Sequence, residues 1–288
     1  MKDKLKLIGA MGIFGTVGIF VRYIPLPSAT IAFFRSVLAL AFLLPLVFIT
    51  GKKVSIGEVW EKLPLLCLSG VALGGNWILL FEAYRYTTVA TATVCYYLAP
   101  MFLLLASPLL GEKLTGRKLL CIGTALLGMV CLSGILKGGI VSPVGLLFAL
   151  GAAVLYATVV FLNRLTGQVE SYTRTIVQMA TAAVVIFVYM LCTGQSVAVM
   201  LTNTQWILLM VVGIVDTGVA YAMYFGSVKD LPTQTVAVFS YLDPVISVLL
   251  SALVLREKMD LFGIIGTVMI LGSALYSELD SAKKVGID

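Results

Sequence analysis

Four ionisable residues interrupt long apolar runs of this 288-residue chain: Arg35, Glu82, Asp216 and Asp243. A charge at hydrocarbon depth costs roughly 2.5–3.5 kcal/mol on insertion scales, so each needs water, a partner or a function. Arg35 has two readings, an ion pair with Glu82 or a dock for a substrate carboxylate. Glu82 could equally sit at a membrane interface. Asp243 precedes Pro244, which cannot donate to the carbonyl of Ser240, so the helix should open there. Ser240, Asp243, Ser247 and Ser251 recur as one polar seam, fitting either substrate or proton binding or hydrogen bonding between helices. Asp216 is followed by Thr217, Tyr221 and Tyr224, the last three on one helical face. It reads as an attractor for an ammonium group, by charge and cation–π contact, or as a neutral carboxyl bonded to a neighbouring helix. Trp77, Tyr96 and Tyr97 fit a cavity wall, and equally an interface belt or packed core.

Other chemistries are excluded by composition. There is no histidine, which removes the usual metal ligand and proton relay near neutral pH, so proton coupling would need a carboxyl, Asp243 first and Asp216 second. The five cysteines (Cys67, Cys95, Cys121, Cys131, Cys192) lie in apolar runs without C-x-x-C spacing and read as packing residues. A phosphate-binding G-x-x-x-x-G-K-[ST] loop is absent, so any uphill work must run on gradients. No cofactor and no metal is expected.

The elements that must position these groups are membrane spans. Hydrophobic residues make up 60% of the chain and charged residues 12%, and mean hydropathy is +1.06. Soluble chains carry about 25% charged residues. Ten candidate helices follow, at about 5–24, 28–50, 63–84, 88–110, 117–136, 143–165, 172–194, 204–226, 233–255 and 261–279. The run after Lys2, Lys4 and Lys6 is long for a signal peptide and ends in Pro25-Leu26-Pro27, so it reads as a retained first span. Fourteen Lys and Arg fall on one side of this topology and five on the other, with Arg35 inside a span. Both termini are therefore expected in the cytoplasm. The net charge of +6 then reflects topology, not nucleic acid. Gly9, Gly12, Gly15 and Gly18 read as close-packing residues of span 1.

The chain also repeats. Tyr97-Leu98-Ala99-Pro100 matches Tyr241-Leu242-Asp243-Pro244, Glu112-Lys113 matches Glu257-Lys258, and Thr16 and Arg22 match Thr158 and Arg164. Gly70 matches Gly213, and Gly123-Thr124 matches Gly266-Thr267, all at offsets of 142 to 145 residues. Halves at 1–140 and 141–288 would each hold five spans, an odd number, so the second should lie inverted. Inverted repeats are a signature of secondary transporters. Cytoplasmic Glu112-Lys113 and external Glu257-Lys258 corners follow, as turn and anchor features that could cover a cavity mouth.

These motifs resemble the EamA-type branch of the drug/metabolite transporter superfamily. The likeness rests on Phe33-Phe34-Arg35, Asn76-Trp77 through Glu82-Ala83-Tyr84, Tyr96 to Pro100, the two Glu-Lys corners and Ser240 to Val245. It covers nearly the whole chain. The resemblance implies a ten-helix basket in the cell membrane with a central cavity between its halves, and export of small metabolites or amino acids, with some relatives importing. Relatives that carry sugar nucleotides would place lysines in the cavity, and this chain offers only Arg35. The expected partners are a small-molecule substrate, the lipid bilayer and possible coupling protons. Two other classes stay open: a membrane-embedded enzyme, disfavoured by the lack of histidine and of a nucleophile–base pair, and a passive channel or sensor.

Overall fold

The computed structural model describes residues 2–49, 56–110, 115–133, 136, 142–167, 169–197, 200–228, 231 and 233–285. The Glu112-Lys113 corner, Gly138-Gly139 and Lys229 lie outside them. Every regular element among the described residues is helical, as the bilayer requires, since a helix satisfies its backbone within one segment.

Eight stretches are long and apolar enough to cross a membrane: Lys2–Arg22, Ser28–Val47, Val59–Tyr86, Val89–Leu109, Gly116–Ser133, Pro143–Leu165, Ser171–Cys192 and Asn203–Ser227. Two shorter apolar helices, Val238–Leu253 and Leu261–Ser277, stand in the ninth and tenth places. Eight of the ten expected spans thus have a helix of crossing length, and the two shorter helices fall within the last two expected ranges.

Local sequence sets the helix ends. Thr88 accepts from the Thr91 N–H at 3.0 Å to start α5 (Val89–Tyr96). Ser142 caps α8 (Pro143–Leu165), with Pro143 in the first turn where its missing N–H is harmless. Glu170 accepts from the N–H groups of Tyr172 and Thr173 at 2.8 and 3.1 Å to open α9 (Ser171–Cys192), and Thr202 with Gln205 forms a capping box.

Four spans are interrupted. Span 1 breaks at Gly15-Thr16, between α1 (Lys2–Phe14) and α2 (Val17–Arg22). Span 4 breaks at Tyr97, between α5 and α6 (Ala99–Ala106), and span 9 at Tyr241, between α12 (Thr233–Ser240) and α13 (Leu242–Leu253). Pro100 and Pro244 each withhold a donor from the preceding turn, so these two breaks fall at matched positions of the repeat. In span 8 a π-helical segment, Val211–Val219, separates α10 (Asn203–Met210) from α11 (Ala220–Val228).

Packing repeats as the sequence does. Span 3, α4 (Ile56–Tyr86), packs on α8 and α9, while span 8 packs on span 1 and on span 2, α3 (Ser28–Ile49). Exchanging the first five spans for the last five turns each of these pairs into the other. The remaining major pairs, α3 with α9, α5 with α13 and α7 (Gly116–Ser133) with α14 (Leu261–Val285), map onto themselves. Glycines show the same relation in atomic detail. A Cβ on Gly70 would meet Thr181 Cβ at 2.6 Å, and one on Gly213 would meet Leu38 Cβ at 2.5 Å. Gly70 and Gly213, and equally Leu38 and Thr181, are repeat mates at one offset.

Gly213→Val and Gly70→Val should therefore each destabilise the protein by about 1–3 kcal/mol through overpacking. Gly123, whose added Cβ meets nothing within 4 Å, is the control: Gly123→Ala should leave thermal unfolding in detergent unchanged.

Candidate functional site

The interrupted spans converge on a cavity of about 440 Å³. Its walls come from spans 1, 2, 3, 4, 6, 8 and 9. Of the residues singled out in the sequence, Arg35, Trp77, Tyr96, Tyr97, Tyr221, Tyr224, Ser240, Tyr241 and Asp243 line it, while Asn76, Glu82 and Asp216 do not.

The two helix breaks meet at its centre. The rings of Tyr97 and Tyr241 stand 6.0 Å apart, and the Tyr97 hydroxyl donates to Asp243 Oδ2 at 2.7 Å. The repeat is broken here in one respect: Asp243 occupies the position matched by Ala99. One acidic group therefore stands in an otherwise paired aromatic frame, with Tyr96 packed edge-on to Tyr97 at 6.0 Å and against Tyr156 at 5.2 Å.

Arg35 supplies the opposite charge. It is 5% exposed, with its guanidinium 4.4 Å from the Trp77 ring centroid and 5.5 Å from that of Phe81. Nε donates to Thr217 Oγ1 at 2.8 Å. The terminal nitrogens have no hydrogen-bond acceptor among the described residues, and no carboxylate there lies within 4.0 Å. An arginine stacked on one face and fixed through Nε keeps its planar edge of donors for a bidentate anion.

Three placements differ from expectation. Glu82 does not pair with Arg35. It accepts from Ser28 Oγ at 2.5 Å and lies 3.5 Å from Arg85, because it follows Trp77 by five residues and so faces the end of span 3 rather than the cavity. Asn76 donates to the Ala152 carbonyl at 2.7 Å and is fully buried between spans 3 and 6. Asp216 does not share the cavity wall with Tyr221 and Tyr224; its Oδ1 lies 3.1 Å from Thr16 Oγ1 of span 1, the contact with a neighbouring helix that its second reading named. Sequence reasoning missed the contributions of spans 1 and 6, among them Phe14, Gly18 and Tyr156. The signal was present in the repeat, since the Thr16/Arg22 and Thr158/Arg164 match marks these two spans as mates.

Hydrogen bonds tie several spans together along one part of the cavity wall. Tyr84, Thr93 and Ser247 form a hydroxyl chain, with separations of 3.3 and 3.1 Å, across spans 3, 4 and 9. Beyond it, Glu257 accepts from the Val89 N–H at 2.9 Å and from Ser251 Oγ. Its other oxygen stands 3.8 Å from Arg22, which also donates to the Tyr84 carbonyl. Ser107, the repeat mate of Ser251, is 2% exposed and its hydroxyl has no partner among the described residues.

A duplicated bundle of membrane-spanning helices, with an aromatic-walled cavity built on paired helix breaks, defines a polytopic membrane protein of transporter type. The chain belongs to the EamA-like transporter family, whose model matches it twice, at residues 4–134 and 143–277. It is 30% identical over 278 residues to the uncharacterized transporter YxxF of Bacillus subtilis (strain 168), covering 94% of this chain and 88% of that one. It is 24% identical to uncharacterized transporters of Clostridium kluyveri (77% of this chain, 74% of the relative) and Archaeoglobus fulgidus (91% of each). A solved crystal structure of 21% identity superimposes with a TM-score of 0.66, covering 99% of this chain and 98% of its own. That likeness speaks for the fold.

Proposed function

We propose that the protein is a secondary active exporter of small polar metabolites, amino acids and related amines, working by alternating access around the cavity. The observation that carries this reading is the pairing of an unsatisfied buried cation, Arg35, with an acidic group, Asp243, in one aromatic-walled cavity. A substrate carboxylate would take the edge of Arg35 and its ammonium the Asp243 carboxylate, with the tyrosine faces adding cation–π attraction. Ten spans as two inverted repeats, 1–140 and 141–288, with both termini in the cytoplasm of a cell (inner or plasma) membrane, complete the reading.

Asp243 also supplies a route to coupling. A proton and an ammonium group compete for one carboxyl, so substrate binding would release the proton and inward proton flow would drive substrate out. Purified protein in liposomes, offered a panel of amino acids and amines with and without a pH gradient, tests this. Saturable, gradient-stimulated accumulation with counterflow is expected. Non-saturating flux without counterflow would mark a channel and overturn the proposal. Asp243→Asn should abolish uphill transport while substrate exchange persists; uphill transport with wild-type pH dependence in that variant would leave Asp243 a purely structural hydrogen-bonding residue.

A further inference from the structure

A second carboxyl is buried away from the cavity, and its contacts specify its chemistry. Asp216 is 1% exposed. Its Oδ1 lies 3.1 Å from Thr16 Oγ1, and its Oδ2 is buried with no partner among the described residues. The same Thr16 hydroxyl lies 2.6 Å from the Ile13 carbonyl. A hydroxyl has one hydrogen and a carbonyl has none. Thr16 has one hydrogen for two contacts: given to Asp216 Oδ1 it leaves the shorter contact to Ile13 without one, and given to Ile13 it leaves Thr16 Oγ1 to accept from Asp216. A carboxylate cannot donate, whereas a carboxylic acid can: Asp216 O–H to Thr16, then Thr16 O–H to Ile13. Both contacts of Thr16 are satisfied at once when Asp216 carries a proton. Without it, a charged oxygen would stand buried and without a donor, the costliest way to bury a polar atom.

The next residue joins this group to the cavity. Thr217 Oγ1 donates to the Val212 carbonyl, five residues back, at 2.8 Å, a bond that follows the π-helical register. With its hydrogen so used, the Thr217 oxygen accepts from Arg35 Nε. One segment, Val211–Val219, thus holds the buried acid on one residue and the cavity cation on the next.

We propose that Asp216 is a proton-binding site separate from the cavity, whose occupancy sets how much of the Arg35 charge the cavity receives. With the proton bound, Asp216 is neutral and the Arg35 edge is free for an anion. When the proton leaves, the carboxylate draws the guanidinium back toward span 8, so proton and anion binding reinforce each other. The proton site stands on geometry alone; its effect on substrate rests on the transporter reading. The elements packed against the π-helical segment carry few other ionisable groups. Arg35 is the only charged residue of α3, Tyr221 and Tyr224 are the phenols of α11, α10 has none, and spans α1–α2 have no charge between Lys6 and Arg22.

The test needs no substrate. Trp60→Phe and Trp206→Phe leave Trp77, under Arg35, as the sole tryptophan, excited selectively over tyrosine in protein reconstituted in lipid nanodiscs. In an Asp243→Asn background, infrared spectroscopy should show a neutral-carboxyl band that disappears on alkalinisation and is missing once Asp216→Asn is added. Trp77 emission should titrate with the same midpoint, and this response should vanish in Asp216→Asn and Thr217→Val but persist in Thr217→Ser. Persistence of the band or of the Trp77 titration in Asp216→Asn would overturn the proposal. Should that variant fail to fold, Thr16→Val should move the midpoint by about one pH unit, equivalent to roughly tenfold in proton affinity, and an unmoved midpoint would overturn it equally. Failure of every substrate in the liposome panel would leave both optical readouts intact, so the two readings fail separately.

Discussion

Arg35→Ala is expected to lower transport of carboxylate-bearing substrates at least about 100-fold. A charge-assisted hydrogen bond contributes roughly 1.5–3 kcal/mol and a bidentate dock makes two, while 1.4 kcal/mol is a factor of ten. Arg35→Lys keeps the charge but loses the planar edge, the stacking on Trp77 and the Nε bond to Thr217, so it should recover only part of the loss. Stability should move the other way. Arg35 is buried with one neutral oxygen partner and two aromatic faces, a costly arrangement in the protein interior, and alanine removes that cost. An Arg35→Ala protein that melts at or above the wild-type temperature in detergent, yet no longer takes up amino acids, separates function from folding. Amines that lack a carboxylate provide the internal control, since their transport should be little affected. If carboxylates and amines lose transport equally in a folded variant, Arg35 is not the anion dock.

How much of this was readable in the sequence depended on the range of the interaction. The spans were legible because hydrophobic run length is a local property fixed by bilayer thickness. The break in span 9 was legible because Pro244 removes a donor wherever it sits in a helix, and the same physics at its repeat mate Pro100 accounts for the break in span 4 that was not expected. The repeat was legible because glycine contacts such as Gly70 with Thr181 and Gly213 with Leu38 hold both halves to one spacing. Partner choice was not. Arg35 meets Thr217 across 182 positions and Tyr97 meets Asp243 across 146, and helical periodicity says nothing about which faces of distant helices oppose. Asp216 is the same case: the spacing puts Thr217, Tyr221 and Tyr224 on one face but leaves the partner of Asp216 open, and that partner, Thr16, lies 200 positions away. Glu82 shows the same limit in simpler form: a carboxylate near a span end was matched with an arginine at similar depth, but Ser28 and Arg85 were nearer.

Glu257→Ala is expected to open the tied part of the cavity wall. This carboxylate joins three parts of the fold: the start of α5 through the Val89 N–H, the end of span 1 through Arg22, and its own corner through Ser251. Its bonds to the backbone N–H and to the serine are charge-assisted, and losing a few kcal/mol from one state of a two-state equilibrium shifts the populations by ten- to a hundredfold. The asymmetry between repeat mates supports a state-specific tie, because Ser251 is bonded to Glu257 while buried Ser107 lacks a partner among the described residues. Ser247 reports the change: it is 3% exposed and bonded to Thr93 in the hydroxyl chain on the cavity side of Glu257. In protein stripped of its five native cysteines, Ser247→Cys should resist a membrane-impermeant thiol reagent added on the Glu257 side. It should react at least about tenfold faster once Glu257→Ala is added. Glu257→Gln retains an acceptor for Val89 but loses the charge facing Arg22, so its labelling rate should fall between the two. Equal labelling in all three proteins, each shown to be folded by its thermal unfolding transition, would show that Glu257 anchors a turn and takes no part in the seal.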